Sequence, residues 1–400
     1  MLLVKNGKIL TMAGRSYESG YILADEAKII EIGHDVSKAE KAVSGRQDIT
    51  VIDAESCYVL PGFIDAHCHV GMWEDSVGFE GDDGNESTDP VTPQLRAIDA
   101  VYHADRSFVE AREGGVTAVV TGPGSSNVIG GQFAALKTCG RRIEDMIIKA
   151  PVAMKVAFGE NPKTVYNEKR QMPMTRMATA ALLRENLMKA REYQELLIRY
   201  YEDKENNDKP EFDIKLDALV KVLSREIPVK AHAHRADDIL TAVRIAREFG
   251  IDLTIEHCTE GHLIKDILLE ERVSAIVGPL ITDRSKIELK NQSIKAPGIL
   301  SRAGIKLAIM TDHPCIPIQY LCLCAAIAAR EGMDETEALK AITINAAQIT
   351  GIDGRVGSLE KGKDADMVIF RGHPFELKSR VEATIINGSI VYRRQESEEV

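Results

Sequence analysis

The segment Leu60-Pro61-Gly62-Phe63-Ile64-Asp65-Ala66-His67-Cys68-His69-Val70 decides the fold. It follows the acidic turn Asp53-Ala54-Glu55, runs as an apolar strand from Tyr58 to Ile64, and closes on two histidines two positions apart. Alternate side chains of an extended strand share a face, so His67 and His69 project together from one strand end while Cys68 points away. An apolar strand has no packing use for two imidazoles at its tip, and the pair has the geometry of metal ligands. Asp65 is expected to orient one of the imidazoles.

Beyond this segment the chain alternates strands with helices, the pattern of a parallel sheet. A strand over Pro228-Val229-Lys230-Ala231-His232 leads to an acidic helix start at Asp237-Asp238, a helix to Phe249 and a stop at Gly250. Ile251 to His257, Val273 to Val277 and Lys306 to Thr311 read as further strands, and a helix opened by Asp334-Glu335-Thr336-Glu337 runs towards Thr350 and stops at Gly351. His232, His257 and Asp312 each fall at the C-terminal end of a strand, where barrel enzymes carry their chemistry. His234 stands two residues beyond His232. Lys155 lies in the apolar run Ala150 to Phe158, where a charge is costly unless it serves a purpose, and Lys137 after Phe133-Ala134-Ala135-Leu136 is its rival.

Residues 1–58 and the last fifty residues share a different texture, short β runs separated by turns. Chain ends commonly meet at a domain surface, so we expect one small β-sandwich domain from residues 1–59 and 353–400. The region 60–352 is then a barrel with loop insertions at about 71–96 and 161–209, and the fold class is α/β, a (β/α)8 TIM-like barrel with a small β-sandwich built from both chain ends. The insertion at 71–96 follows His69 directly and reads as an active-site loop. The insertion at 161–209 holds an amphipathic helix marked by Leu183, Leu187, Ala190 and Leu197, then a charge run, Glu202 to Lys209, that reads as a solvated tip. Gly122 to Gln132 is glycine-rich but lacks the P-loop lysine and the dinucleotide spacing, which leaves a substrate-contacting mouth loop or a plain turn. Glu160, His103, Arg170 and Arg235 are further candidates for the substrate side.

Composition narrows the function. A chain of 400 residues, 44% of them apolar, buries a large core, and a net charge of −11 without a basic run argues against sequence-independent nucleic-acid binding. No apolar run reaches membrane-spanning length, and the first residues lack the basic start and long apolar middle of a signal peptide, so the expected location is the cytoplasm. The seven cysteines are odd in number and scattered, which is not a disulfide framework. Cys322 and Cys324 read as part of a buried helix between Leu321 and Ala329.

Together with Val4-Lys5-Asn6-Gly7-Lys8-Ile9, Gly114-Gly115-Val116-Thr117, Thr311-Asp312 and Gly362-Lys363-Asp364-Ala365-Asp366-Met367-Val368-Ile369, the strand-end histidines make nearly the whole chain resemble the amidohydrolase superfamily of metal-dependent hydrolases. Within it the chain is most similar to the imidazolonepropionase-related group, which includes metallo-carboxypeptidases and other amide hydrolases. The resemblance implies one or two Zn2+ ions, with Mn2+, Fe2+ or Co2+ accepted by the same ligands. His67 and His69 would take one ion, His232 and His257 a second or a share of the first, and Lys155, carbamylated, would bridge. Asp312 would be both ligand and catalytic proton shuttle, and His234 a substrate-binding residue. The implied reaction is cleavage of a C–N bond in an amide or cyclic amide by metal-activated water. An aminohydrolase acting on a heterocyclic ring is the alternative, although Arg235 stands three residues after His232, where related deaminases commonly carry glutamate; a catalytically inactive barrel scaffold is the other. The expected partners are a small-molecule substrate and further copies of the chain as a homo-oligomer, with no nucleic acid and no membrane.

Overall fold

The structure, a computed structural model, describes residues 1–74 and 78–395; residues 75–77 of the expected active-site loop and 396–400 of the expected end-built domain lie outside the described residues. The N-terminal part contributes β1 (Leu2–Leu10), β2 (Ser16–Asp25), β3 (Lys28–Gly33), β4 (Thr50–Asp53) and β5 (Cys57–Pro61). The barrel strands are β6 (Phe63–Cys68), β7 (Val116–Thr121), β8 (Ile129–Lys137), β9 (Ile147–Ala157), β10 (Val229–Ala233), β11 (Leu253–His257), β12 (Ser274–Val277) and β13 (Leu307–Ile309). The C-terminal part adds β14 (Met367–Arg371), β15 (Arg380–Ile386) and β16 (Ser389–Arg393).

The two chain ends form one sheet of eight strands in the order β16-β15-β14-β5-β1-β2-β3, with β4 also paired to β1. Register shifts at Gly7 let β1 change neighbour, pairing with β4 over Leu2–Lys5 and with β5 at Lys8 and Ile9. The two halves of the sheet thereby share one apolar cluster, which includes Val4, Ile22, Val59, Met367 and Ile385. The helix Val36–Val43 covers Leu3, Tyr21 and Leu23 on another face.

The other sheet is the barrel, with its strands ordered in space as in sequence from β6 to β13. β9 to β13 run parallel, as do β6 and β7, but β8 is antiparallel to both of its neighbours. Residues 122–128 are the cause: a parallel crossover needs roughly a dozen residues or more, and this glycine-containing turn is too short to make one. β7 pairs with β8 only at Ala134–Lys137. Above that level residues 90–95 lie along β8, with Thr92 N–H donating to Ile129 O at 2.9 Å and Gln132 N–H donating to Leu95 O at 2.8 Å. β13 and β6 share no ladder; His69 N–H donates to His313 O at 3.0 Å across that gap.

The helix Ala236–Phe249 ends at Gly250 in the left-handed region (φ 68°), as its sequence predicts. The helix expected to run from Asp334 towards Thr350 is instead two, Glu335–Ala341 and Ile344–Ile349. The break follows from competition for backbone groups: Ile342 O accepts from Ile64 N–H of β6 at 2.8 Å, and the Thr343 hydroxyl donates back to Leu339 O at 2.6 Å. In the insertion, the helix Arg176–Glu202 buries Leu183, Leu187 and Ala190 and leaves Leu197 half-buried. Cys322 and Cys324 are buried in the helix Leu321–Arg330. Among the described residues no helix is long and apolar enough to cross a membrane.

Candidate functional site

His67 lies in β6, Lys155 in β9, His232 in β10 and His257 at the end of β11, while His69, His234 and Asp312 stand just beyond β6, β10 and β13. All seven side chains are buried. Because β10 and β11 pair with Ala233 opposite His257, the imidazoles of His232, His234 and His257 gather into one group, their centroids 4.3 to 4.7 Å apart. His67 Nε2 and His69 Nε2 stand 3.7 and 3.4 Å from Asp312 Oδ1, and Lys155 Nζ lies 3.2 Å from His67 Nε2. His257 and Asp312 hold φ of 68° and 54°, a departure that costs a non-glycine residue about 1–3 kcal/mol and recurs at functional sites.

The buried contacts fix which ring nitrogen faces inward. His69 Nδ1 and His257 Nδ1 lie 2.7 and 3.0 Å from the carbonyl oxygens of Gly122 and Gly278, and a carbonyl only accepts, so each Nδ1 carries the proton and each Nε2 presents a lone pair. His232 Nδ1 and His234 Nδ1 meet the hydroxyls of Ser125 and Thr259 at 2.9 and 2.8 Å. Glu256 Oε2 is 2.7 Å from His67 Nδ1, though out of line for a hydrogen bond, and Lys230 Nζ stands 2.8 Å from the same oxygen. Asp65 does not orient an imidazole. Its carboxylate accepts from the backbone N–H groups of His67 and Thr311 and from the Thr311 hydroxyl, which ties β6 to the chain after β13 where the ladder is missing. Glu256, not Asp65, is the carboxylate that stands beside the His67 Nδ1 ring nitrogen.

Electrostatics follow from burial. Desolvation holds His67, His232 and His234 well below the ordinary imidazole value and brings His257 to about 4, so the cluster is neutral at pH 7. Burial lowers Lys155 to about 8 and raises Asp65 to about 7. Burial also works to raise Asp312, but its imidazole neighbours His257, His69 and His67 together outweigh it and lower its pKa. Neutral imidazoles beside an ionised carboxylate are the protonation states a cation requires. Two groups, His232 with His234 and His257, and His67 with His257 and Asp312, have ligand atoms within 4.8 Å of one another. Buried His232 Nε2 lacks any hydrogen-bond partner. The donor set therefore fits a metal ion.

The cluster forms the floor of a cavity of about 840 Å³. Trp73, Asp82 and Asn85 of the loop after β6, Ser125 of the turn after β7, and Glu160 also line it. His103, Arg170 and Arg235 do not, and Arg235 pairs with Asp237 at 2.9 Å. Lys137 lies away from the cavity, buried between Asp364 and Asp366.

The sequence profile of the amidohydrolase family matches residues 58–391. The chain belongs to the amidohydrolase family. Other amidohydrolases resemble it along most of its length. A crystal structure of an amidohydrolase from Thermotoga maritima superposes with a TM-score of 0.92 at 41% identity, covering 98% of this chain and 100% of that one. The amidohydrolase tasK of Hapsidospora irregularis is 26% identical over 94% of this chain, which spans 40% of that longer protein. The imidazolonepropionase of Symbiobacterium thermophilum is 24% identical over 92% of this chain and 90% of its own length.

Two buried carboxylates of this amidohydrolase were missed in the sequence. Glu256 sits between Ile255 and His257 in a buried strand, the same charge-in-an-apolar-run signal that marks Lys155. Glu288 comes from a single 3-10 turn, Ile287–Leu289, in an otherwise irregular stretch, and no periodicity announces it.

Proposed function

We propose that this amidohydrolase cleaves a C–N bond of an amide or cyclic amide by metal-activated water. The observation that carries the reading is the convergence of imidazoles from β6 and β11 on Asp312 and of imidazoles from β10 and β11 on one another, with Lys155 Nζ 3.2 Å from His67 Nε2. His67, His69 and Asp312 would hold one ion and His232 and His257 another, and zinc suits these nitrogen and oxygen donors. Lys155, made easier to deprotonate by burial, is the bridging carbamate of this reading. When bound, the ions supply an activated water and polarise the scissile carbonyl. Asp312 would accept a proton at its carboxylate and deliver it to the leaving nitrogen of the substrate. The ligand side chains are buried, and the loop bearing Trp73 and Asn85 lines the space a substrate would enter.

The purified, zinc-loaded enzyme is to be assayed against N-acyl amino acids, dipeptides and cyclic ureides, reading the released amine or the new carboxylate. Turnover of at least one class is expected. Ammonia release from amino-substituted rings with no turnover of the amides would replace the reading with deamination, for which Arg235, paired at the surface, offers no carboxylate.

A further inference from the structure

Glu288 is the buried acid that the reading above leaves without a task. Its side chain is 1% exposed. Glu288 Oε2 accepts the backbone N–H of Glu160 at 3.0 Å, the first residue of the helix Glu160–Glu168, so the carboxylate is anchored at the positive end of a helix. Glu288 Oε1 has no hydrogen-bond partner and stands 3.7 Å from His234 Nε2 and 4.0 Å from His232 Nε2. These gaps are too long for hydrogen bonds. They lie close to the separation of about 3.4 Å between two donors bonded at about 2.1 Å to one tetrahedral ion.

A second observation shows that the backbone makes room for this arrangement. Gly159, at φ 81°, precedes the anchoring N–H, and a Cβ there would come within 2.7 Å of Glu288 Oε2 and 3.1 Å of Asp238 Oδ2. Glycine at 159 thus serves both the left-handed backbone and the space the carboxylate occupies. An unpartnered carboxylate oxygen in the interior is costly, and a cation between Glu288 and the facing imidazoles would offset that cost.

We infer that Glu288 is a metal ligand, completing with His232, His234 and His257 a site for a divalent transition ion in which His234 coordinates rather than contacts substrate. Three nitrogens and one carboxylate oxygen suit zinc or cobalt, which also accept a fifth donor such as the proposed Lys155 carbamate. The inference rests on reading the imidazole cluster as a metal centre, but not on the identity of the reaction.

The test uses the full chain stripped with chelator and titrated with Co2+, followed by visible absorption, with metal per chain measured after dialysis. For Glu288→Gln the dissociation constant of one ion should rise at least tenfold and the cobalt spectrum should change, while the ion at His67, His69 and Asp312 is retained. Gly159→Ala, which keeps Glu288 but crowds its carboxylate, should weaken the same ion and covers the case in which Glu288→Gln does not fold. Wild-type affinity and an unchanged spectrum in the folded variants would overturn the assignment, leaving Glu288 as the acceptor for the Glu160 N–H alone. A wild-type chain that takes up no ion at His232, His234 and His257 would overturn it too. Failure of the amide assay with both ions bound leaves this site standing and removes only the proposed reaction.

Discussion

His69 gives its Nδ1 proton to the carbonyl oxygen of Gly122 at 2.7 Å, and so its Nε2 faces Asp312 with a lone pair. The contact couples the strand-end pair to the short turn after β7, because the turn's backbone decides the tautomer. Double substitution His67→Ala/His69→Ala should therefore remove the ion nearest Asp312. Metal analysis of the dialysed protein reads the result, and wild-type metal content in the variant would refute the ligand assignment.

Lys155 lies 3.2 Å from His67 Nε2 and on the strand beside Lys230. Burial lowers its pKa to about 8, so near neutral pH a usable fraction is the free amine that carbon dioxide modifies. Lys155→Ala should abolish turnover, and added formate or acetate should restore part of it by occupying the bridge position. Full activity without added acid would mean that no bridge from this residue is needed.

Asp312→Asn keeps the shape of the side chain and removes the proton acceptor. Turnover should fall about a hundredfold or more while KM changes less. Metal content must be measured on the same sample, since Asp312 also stands 3.4 Å from His69 Nε2 and its loss can empty the site. A variant that keeps its metal and turns over normally would place proton transfer elsewhere.

Lys137 is a structural residue. Buried between Asp364, 2.9 Å away, and Asp366, it joins β8 of the barrel to the segment entering β14. Lys137→Met would leave two buried carboxylates short of their cation and should destabilise the fold by about 3–5 kcal/mol in urea unfolding. The same network gives a pH dependence. For Asp364, burial works upward but Lys137, Lys28 and Arg355 together lower the pKa below 3.8, so its stabilisation is complete above the unfolded value and is lost as pH falls through the folded one. Asp366 is raised by burial and has the opposite sign, its ionisation weakening the fold as pH rises. A wild-type midpoint that falls below pH 4 by the same amount in Asp364→Asn would remove Asp364 from this account.

The parts of the structure most legible in the sequence were those where one residue satisfies two demands at once. His67 and His69 mark a strand end and a buried cluster of imidazoles around Asp312 together, and Gly250 stops its helix where the apolar period stops. Lys155 could be read because an interior charge contradicts the strand around it, and Glu256 was open to the same reasoning. The reversal of β8 was implicit in the length of residues 122–128 but masked by an assumption of uniform alternation. Glu288 was not legible, because its position depends on a helix terminus more than a hundred residues earlier in the chain and on the room left at Gly159. Asp65 was assigned to the wrong partner since a carboxylate two residues from a histidine can reach backbone as easily as ring.

The segment 90–95 gives the loop after β6 two obligations. Its earlier part presents Trp73, Asp82 and Asn85 to the cavity, and its later part occupies the place beside β8 that β7 vacates. The cavity lining and architectural integrity are therefore written into one continuous stretch, unlike a detachable cap that can be exchanged at will. Retargeting this enzyme by loop grafting would have to treat residues 90–95 as masonry and confine variation to the part before them; a graft that replaces the whole stretch would open a seam in the wall before it ever met a new substrate.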